Sequence, residues 1–292
     1  MSATREDLSW NRPLKDGSLW DQAEADQTAI QDRMTECRLP DGTSLQVFDP
    51  CSDAGRQPVV MLPMIADLNF VYAPQIQFLQ SRYRILLYEP RLSTTKHVGI
   101  LDRAEELRGL LDAKGIDAAH LMAWSDAGSA AYMFAKHYPH RCLSLTSFGL
   151  ADKYALSVPM DIGLAFLARF PLESVIPDWL MARLLARFLS GRQVKYAWVV
   201  SRASTIPNLT RLFKFSIVAN LLEHQPKVGE IHMPFLNVCG DSDALVTLAQ
   251  ARRMASIVSG GQFADVKGGE HFLNYVSYEE VNARVGSFLS KV

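Results

Sequence analysis

The feature that most constrains this chain is a change of hydrophobic rhythm along it. Pro58 to Leu62 (PVVML) and Tyr83 to Tyr88 (YRILLY) are nearly continuous apolar runs, as expected of strands buried on both faces. Leu101 to Ala113 instead carries apolar residues at Leu101, Ala104, Leu107, Leu110 and Leu111, with Gly115 just beyond. That spacing is a helical stripe with a stop signal. His120 to Ala123 is another short apolar run, Ser129 to His137 is helical in pattern, and Cys142 to Phe148 is again strand-like. Strands alternating with helices predict a mostly parallel sheet joined by right-handed crossovers.

The alternation stops after about residue 152. Ile162 to Phe170, Trp179 to Leu189, Val194 to Arg202 and Leu209 to Leu222 are helical in period, punctuated by Pro159, Pro171, Pro177, Pro207 and Pro226. Strand runs resume at Pro234 to Cys239 and Gln262 to Val266, and a helix at Glu279 to Leu289 follows. The pattern therefore predicts an α/β core split into residues 32–152 and 231–292, with a helical cap, residues 153–230, between its halves. Before the core, Met34 to Leu39 and Ser44 to Phe48 flank Asp41-Gly42, which predicts an antiparallel hairpin. Residues 1–31 lack a clean hydrophobic period and form a leader, although Trp10, Leu14, Leu19 and Trp20 are candidates to dock on a surface.

Charge excludes one class of function. Lys and Arg number 30 against 31 Asp and Glu, so there is no basic excess with which to release counterions from a nucleic acid. Cys37, Cys51, Cys142 and Cys239 show no zinc-ligand spacing and are expected to be reduced thiols. The N-terminus is polar and mixed in charge, unlike a signal peptide, and the apolar stretch near Leu164 is too short to span a membrane. The expectation is a cytoplasmic protein with a small-molecule substrate, no membrane partner and no metal or organic cofactor. Its oligomeric state is open, with a homodimer among the possibilities.

The chemistry centres on Ala123-Trp124-Ser125-Asp126-Ala127-Gly128, between a short buried strand and a helix. A serine on a sharp strand-to-helix turn presents its hydroxyl at the helix N-terminus, and small residues two before and two after it avoid collision. Ala123 and Ala127 meet that requirement. Alternatively, Ser125 or Asp126 simply caps the helix. Two further features favour the chemical reading. Gly240-Asp241-Ser242-Asp243 follows the strand PFLNVC, and Gly268-Gly269-Glu270-His271 follows the next strand. Each places its chemistry at the carboxyl edge of a parallel sheet, where ligands bind. The order Ser125, Asp243, His271 is that of nucleophile, orienting acid and general base.

These motifs resemble the α/β-hydrolase superfamily, in particular its capped esterase, lactonase and C–C hydrolase branch. The W-S-D-x-G run of Trp124 to Gly128 is similar to that of valacyclovirase-like members. The resemblance covers about residues 32–292. It implies Ser125 as nucleophile, Asp243 as acid and His271 as base, with the amides of Ile65 and Asp126 as oxyanion donors. Asp243 fits the family spacing G-x-x-D-x-x-V better than Asp241, and Asp152 is a further alternative acid. One departure stands out: Leu62-Pro63-Met64-Ile65-Ala66 occupies the place where the family usually has His-Gly.

Trp124, Met64, Phe166 and Trp179 are candidate substrate contacts. Phe166, Trp179, Phe170, Trp198 and Phe213 are first of all cap-core residues, one or two of which are expected to line an acyl pocket. Asp126 is expected to cap the helix or to meet a cationic substrate group. Hydrolysis of an ester, thioester or lactone is the expected reaction. The rivals are acyl transfer, C–C hydrolysis or a cyclisation or elimination on the same site, and a ligand-binding protein with little turnover.

Overall fold

The computed structural model describes residues 19–51, 55–64, 67–91, 93, 95–154, 162–163, 166, 170–215 and 223–292. Its frame is an eight-stranded sheet in the order β1-β2-β4-β3-β5-β6-β7-β8. β1 (Met34–Arg38) and β2 (Ser44–Phe48) form the antiparallel hairpin, and β2 also runs antiparallel to β4 (Arg84–Tyr88). β3 (Pro58–Leu62), β4, β5 (Ala119–Trp124), β6 (Cys142–Phe148), β7 (Phe235–Gly240) and β8 (Gln262–Val266) are parallel.

Side-chain alternation along each strand divides the interior into two cores. Val59, Met61, Met122 and Trp124 face one core with α1 (Leu19–Gln31), α2 (Ala73–Leu79) and α10 (Tyr278–Leu289). Val60, Leu62, Leu121 and Ala123 face the other, with α3 (Ile100–Ala113), α4 (Ala127–His137) and α9 (Leu248–Ser256). The chain thus leaves the neighbouring strands β3 and β5 toward opposite faces. That divergence opens a crevice at the carboxyl edge, the usual ligand position in an open α/β sheet.

Between β6 and β7 the described residues contain only helices: α5 (Leu172–Val175), α6 (Asp178–Leu189), α7 (Tyr196–Ser204) and α8 (Leu209–Phe213). The expected helices over 162–170 and 209–222 lie partly outside the described residues. Two of the polar contacts that pin the cap to the core involve Glu270 and Arg202. Glu270 accepts the backbone N–H groups of Arg192, Gln193 (3.0 Å) and Val194 (3.1 Å) in the α6–α7 turn. A side chain at Gly191 would overlap that carboxylate. Arg202 of α7 donates through Nη2 (2.9 Å) and Nε (3.2 Å) to the carbonyl of Asp67.

In the described part of the leader, residues 19–31 form α1, whose Leu19 and Trp20 pack against the core. Its inner face is held largely by polar side chains, so it carries no clean apolar period. Gln27 accepts the Phe70 N–H at 3.0 Å, and Asp26 accepts the Tyr275 hydroxyl at 2.9 Å. The Trp20 ring lies 4.2 Å from that of Trp198 on α7, centroid to centroid, and Glu24 pairs with Arg202 at 2.8 Å. Trp10 and Leu14 lie outside the described residues.

Two predictions follow from this packing. Replacing the buried Trp20 by Ala should cost about 3 kcal/mol of stability, measured as a lower urea midpoint with an unchanged m-value. The second concerns His224, whose Nε2 lies 2.8 Å from the Ala151 carbonyl. Burial pushes its pKa down from 6.5 to about 4. The unfolded chain therefore binds the extra proton between those two values, and stability falls as pH drops from 6.5 towards 4. The loss should be on the order of 3 kcal/mol. His224→Gln should flatten that part of the pH–stability curve in urea titrations; an unchanged slope would contradict the assignment.

Candidate active site

β5 ends at Trp124, and the chain reverses into α4 through Ser125, whose φ is +57°. This left-handed conformation is unusual for a residue with a side chain and costs about 1 kcal/mol. It is held by the Ser125 N–H donating to Phe148 O at 2.8 Å and the Ser125 carbonyl accepting Gly128 N–H at 3.0 Å. Ala123 and Ala127 are fully buried around the turn. Gly128 is required where α4 crosses β6: a Cβ there would stand 2.9 Å from Leu150 Cδ1.

The structure brings Ser125, Asp243 and His271 together. His271 Nε2 lies 2.9 Å from Ser125 Oγ, and its Nδ1 lies 2.8 Å from Asp243 Oδ2. The other Asp243 oxygen accepts the N–H groups of Leu245 (2.8 Å) and Val246 (3.0 Å). Burial alone would raise the Asp243 pKa, but the neighbouring His271 and these hydrogen bonds outweigh it and hold the carboxyl below its ordinary value. Such a chain lets an imidazole draw a proton from a hydroxyl while a carboxylate fixes the ring and steadies the imidazolium.

The alternative acids are engaged elsewhere. Asp241 accepts the Gly268 N–H at 2.7 Å, bracing the loop that carries His271. Asp152 pairs with Arg253 at 2.9 Å. Gly149 was not singled out in the sequence, yet the site closes on it. Its φ is +68°, and a Cβ would come within 3.3 Å of Asp243 Oδ2 and 3.6 Å of His271 Cε1. The sequence signal was a glycine directly after a buried strand.

Several expectations need correction. Asp126 opens α4 but makes no side-chain cap, and it is 2% exposed, too buried to meet a substrate cation from solvent. Its carboxylate pairs with the equally buried Arg103 at 3.0 Å. Trp124 is fully buried, and its Nε1 donates to the His271 carbonyl at 2.8 Å. It supports the histidine loop and does not contact substrate space. Phe166 and Trp179 lie on the outside of the cap, 57% and 56% exposed. Helical period alone could not tell the inner face of the cap from its outer one. Ile65 lies outside the described residues.

An apolar cavity of about 50 Å³ lies between cap and core. Leu185, Leu189, Trp198 and Phe213 line it from the cap, with Met64 and Phe272 below. Phe272 follows His271 in sequence and Met64 lies in the loop after β3, but Ser125 and His271 are not among the cavity's lining residues. Met64 is one of the residues lining this cavity, and its aromatic lining is Trp198 and Phe213 from the cap and Phe272 from the core. Among the described residues there is no cluster of His, Cys, Asp or Glu able to hold a metal ion, and no helix long and apolar enough to cross a membrane.

The family described as alpha/beta hydrolase fold matches residues 72–278, so the chain belongs to the α/β-hydrolase fold family. Among curated proteins it is similar to the "Putative carbamate hydrolase RutD" of Caulobacter sp. (strain K31). The two are 27% identical over 264 residues, which is 82% of this chain and 92% of that protein. A thermophilic esterase from Thermogutta terrifontis has the same fold, with a TM-score of 0.71 at 16% identity over 88% of this chain and 98% of that one. So does the enol-lactonase from Burkholderia xenovorans LB400, with a TM-score of 0.67 at 20% identity over 88% of this chain and all (100%) of that one.

Because Gly149 combines a positive φ with contact to the acid and the imidazole, Gly149→Ala should cost about 1–2 kcal/mol of stability. It should also lower the turnover of p-nitrophenyl acetate about tenfold by displacing the ring. Wild-type values for both would show that the close approach is not needed.

Proposed function

We propose that this protein is a serine hydrolase that cleaves an ester, thioester or lactone of a small, partly apolar substrate. The observation that carries the proposal is the unbroken hydrogen-bonded run from Ser125 Oγ through His271 to Asp243, at 2.9 and 2.8 Å. Ser125 attacks the acyl carbonyl as His271 Nε2 takes the hydroxyl proton. Asp243 stays ionised and holds the ring through Nδ1. The collapsing tetrahedral intermediate expels the leaving group, which receives the proton from His271, and leaves an acyl group on Ser125. A water deprotonated by His271 then releases the acid and restores the serine. The amide of Asp126, at the N-terminus of α4, and that of Ile65 receive the oxyanion. The cavity beneath Trp198 and Phe213 takes the apolar part of the substrate.

The relatives support this reading through their own descriptions, which include a carbamate hydrolase, an esterase and an enol-lactonase, all acyl-group chemistry. The protein is expected to label stoichiometrically with a fluorophosphonate and to turn over short p-nitrophenyl esters. Ser125→Ala should abolish the label and lower kcat by about 10⁴–10⁶. Labelling without ester turnover would shift the reaction toward C–C hydrolysis or acyl transfer on the same serine. Absence of any label at Ser125 would overturn the assignment.

A further inference from the structure

The outer side of α6 has no part in the hydrolase reading, and its composition is unlike that of a helix facing water. Met181, Ala182 and Ala186 are buried, and Leu185 and Leu189 line the cavity, so the opposite side looks outward. Helical spacing arranges that side in two adjoining rows: Trp179, Arg183 and Arg187, and beside them Leu180, Leu184 and Phe188. Trp179 and Phe188 are each 56% exposed and Leu184 is 40% exposed. The Arg183 guanidinium lies over the Trp179 ring, 5.0 Å from its centroid. No Ser, Thr, Asn, Gln, Lys or Glu stands anywhere in this helix, although a water-facing helical side ordinarily carries such residues.

Single exposed apolar residues are ordinary, but a face of them marks an interaction site. Of the ten large apolar side chains exposed among the described residues, eight belong to the cap, so the feature is local. Charge is segregated in the same place. Between Asp178 and Glu223 the chain carries seven Lys and Arg and no Asp or Glu, although the whole protein has a net charge of -1. Arg202 and Lys214 are paired, with Glu24 and Glu173. Arg187, Arg192 and Lys195 are exposed and have no carboxylate partner among the described residues. Asp178, the acid that opens the helix, is engaged with the Thr210 N–H at 3.0 Å.

This combination selects among partners. A second copy fits badly, because a two-fold contact brings two cationic faces together with no acid between them. An acidic polypeptide supplies the charge but no apolar layer to receive the rings. A lipid leaflet with anionic headgroups supplies both. A helix of this length spans about 18 Å and lies flat on such a surface, with its rings at headgroup level and its arginine heads at the phosphates.

We infer that the outer side of α6 docks the protein on membranes bearing anionic lipids, through Trp179, Leu184 and Phe188 with Arg183 and Arg187. The expectation of no membrane partner rested on the lack of a spanning segment, which a helix lying in the interface does not need. The inner side of the same helix walls the apolar cavity, so docking sets that cavity one helix away from lipid. The inference is independent of the chemistry at Ser125.

The test is co-sedimentation of the full chain with vesicles of phosphatidylcholine and phosphatidylglycerol, against vesicles of phosphatidylcholine alone. Binding is expected to the anionic vesicles, at least tenfold weaker binding to the neutral ones, and release as salt is raised. Arg183→Gln with Arg187→Gln, and Trp179→Ser with Phe188→Ser, should each weaken binding about tenfold or more. All four positions are exposed, so both variants should keep the wild-type urea midpoint. Brominated phosphatidylcholine in the anionic vesicles should quench wild-type tryptophan fluorescence, and Trp179→Phe should lose most of that quenching. No binding to anionic vesicles at low salt, equal binding to neutral ones, or wild-type binding by both variants overturns the inference. So does quenching that survives Trp179→Phe. A wild type that ignores vesicles but self-associates through Trp179 and Phe188 makes the face a contact between copies. One that ignores vesicles but binds poly-glutamate through the arginines has an acidic polypeptide as its partner. Either result also overturns the inference.

Discussion

The structure turns on one tight reversal: β5 passes directly into α4 through a serine held in a left-handed conformation. A side chain in that conformation is strained, so the surroundings must over-determine it. They do so by close packing in which small residues are obligatory. Gly128 lets α4 lie against Leu150, and Gly149 lets the next strand end beside Asp243 and His271. Gly240 meets the backbone of Gly269, drawing together the loops that carry those two residues. Ser242 N–H donates to Gly269 O at 3.0 Å across the same seam. The geometry at the serine is therefore a property of four strand ends packed at one edge, not of a local motif.

Around this edge the protein uses polar groups as fasteners between layers. Glu270 holds the α6–α7 turn, Arg202 ties α7 to both α1 and the β3 loop, and Arg103 ties that loop to the serine turn. Each joins segments distant in sequence, and each is at least partly withdrawn from water, where a hydrogen bond is strong and an unpaired charge is costly. Cap, leader helix and active edge consequently share a set of contacts. Trp198 shows the coupling directly, lining the cavity while its ring packs on Trp20 of α1.

Much of this was legible in the sequence, for identifiable reasons. The strands announced themselves because both faces are buried, so PVVML is unbroken and the charge that interrupts YRILLY is Arg84, which pairs with Asp49. Ser125, Asp243 and His271 were legible because each lies in the turn or loop that leaves the carboxyl end of a strand. Helix α9 was missed: its stripe is short, and its marker is the capping box in which Gln250 N–H donates to Thr247 Oγ1 at 3.3 Å. Helix α1 was hidden because Gln22, Asp26 and Gln27 occupy its inner face and satisfy one another or the core by hydrogen bonds. No hydrophobic period records such a face.

Composition and local pattern were sufficient to set the parallel sheet, the interruption by helices and the three residues at the strand ends. Those features depend on short-range periodicity and on backbone sterics, which any stretch of chain displays by itself. Pairing across the fold was decided by the tertiary structure alone. Nothing in the sequence sets Arg103 apart from the other charges of α3, and Asp126 looked like a helix cap until that guanidinium reached it in the fold. Which cap aromatics face inward was decided in the same way, putting Trp198 and Phe213 at the cavity and Trp179 in solvent. A charge or a ring declares its chemistry in the sequence, but its partner is chosen only when distant segments exclude water between them.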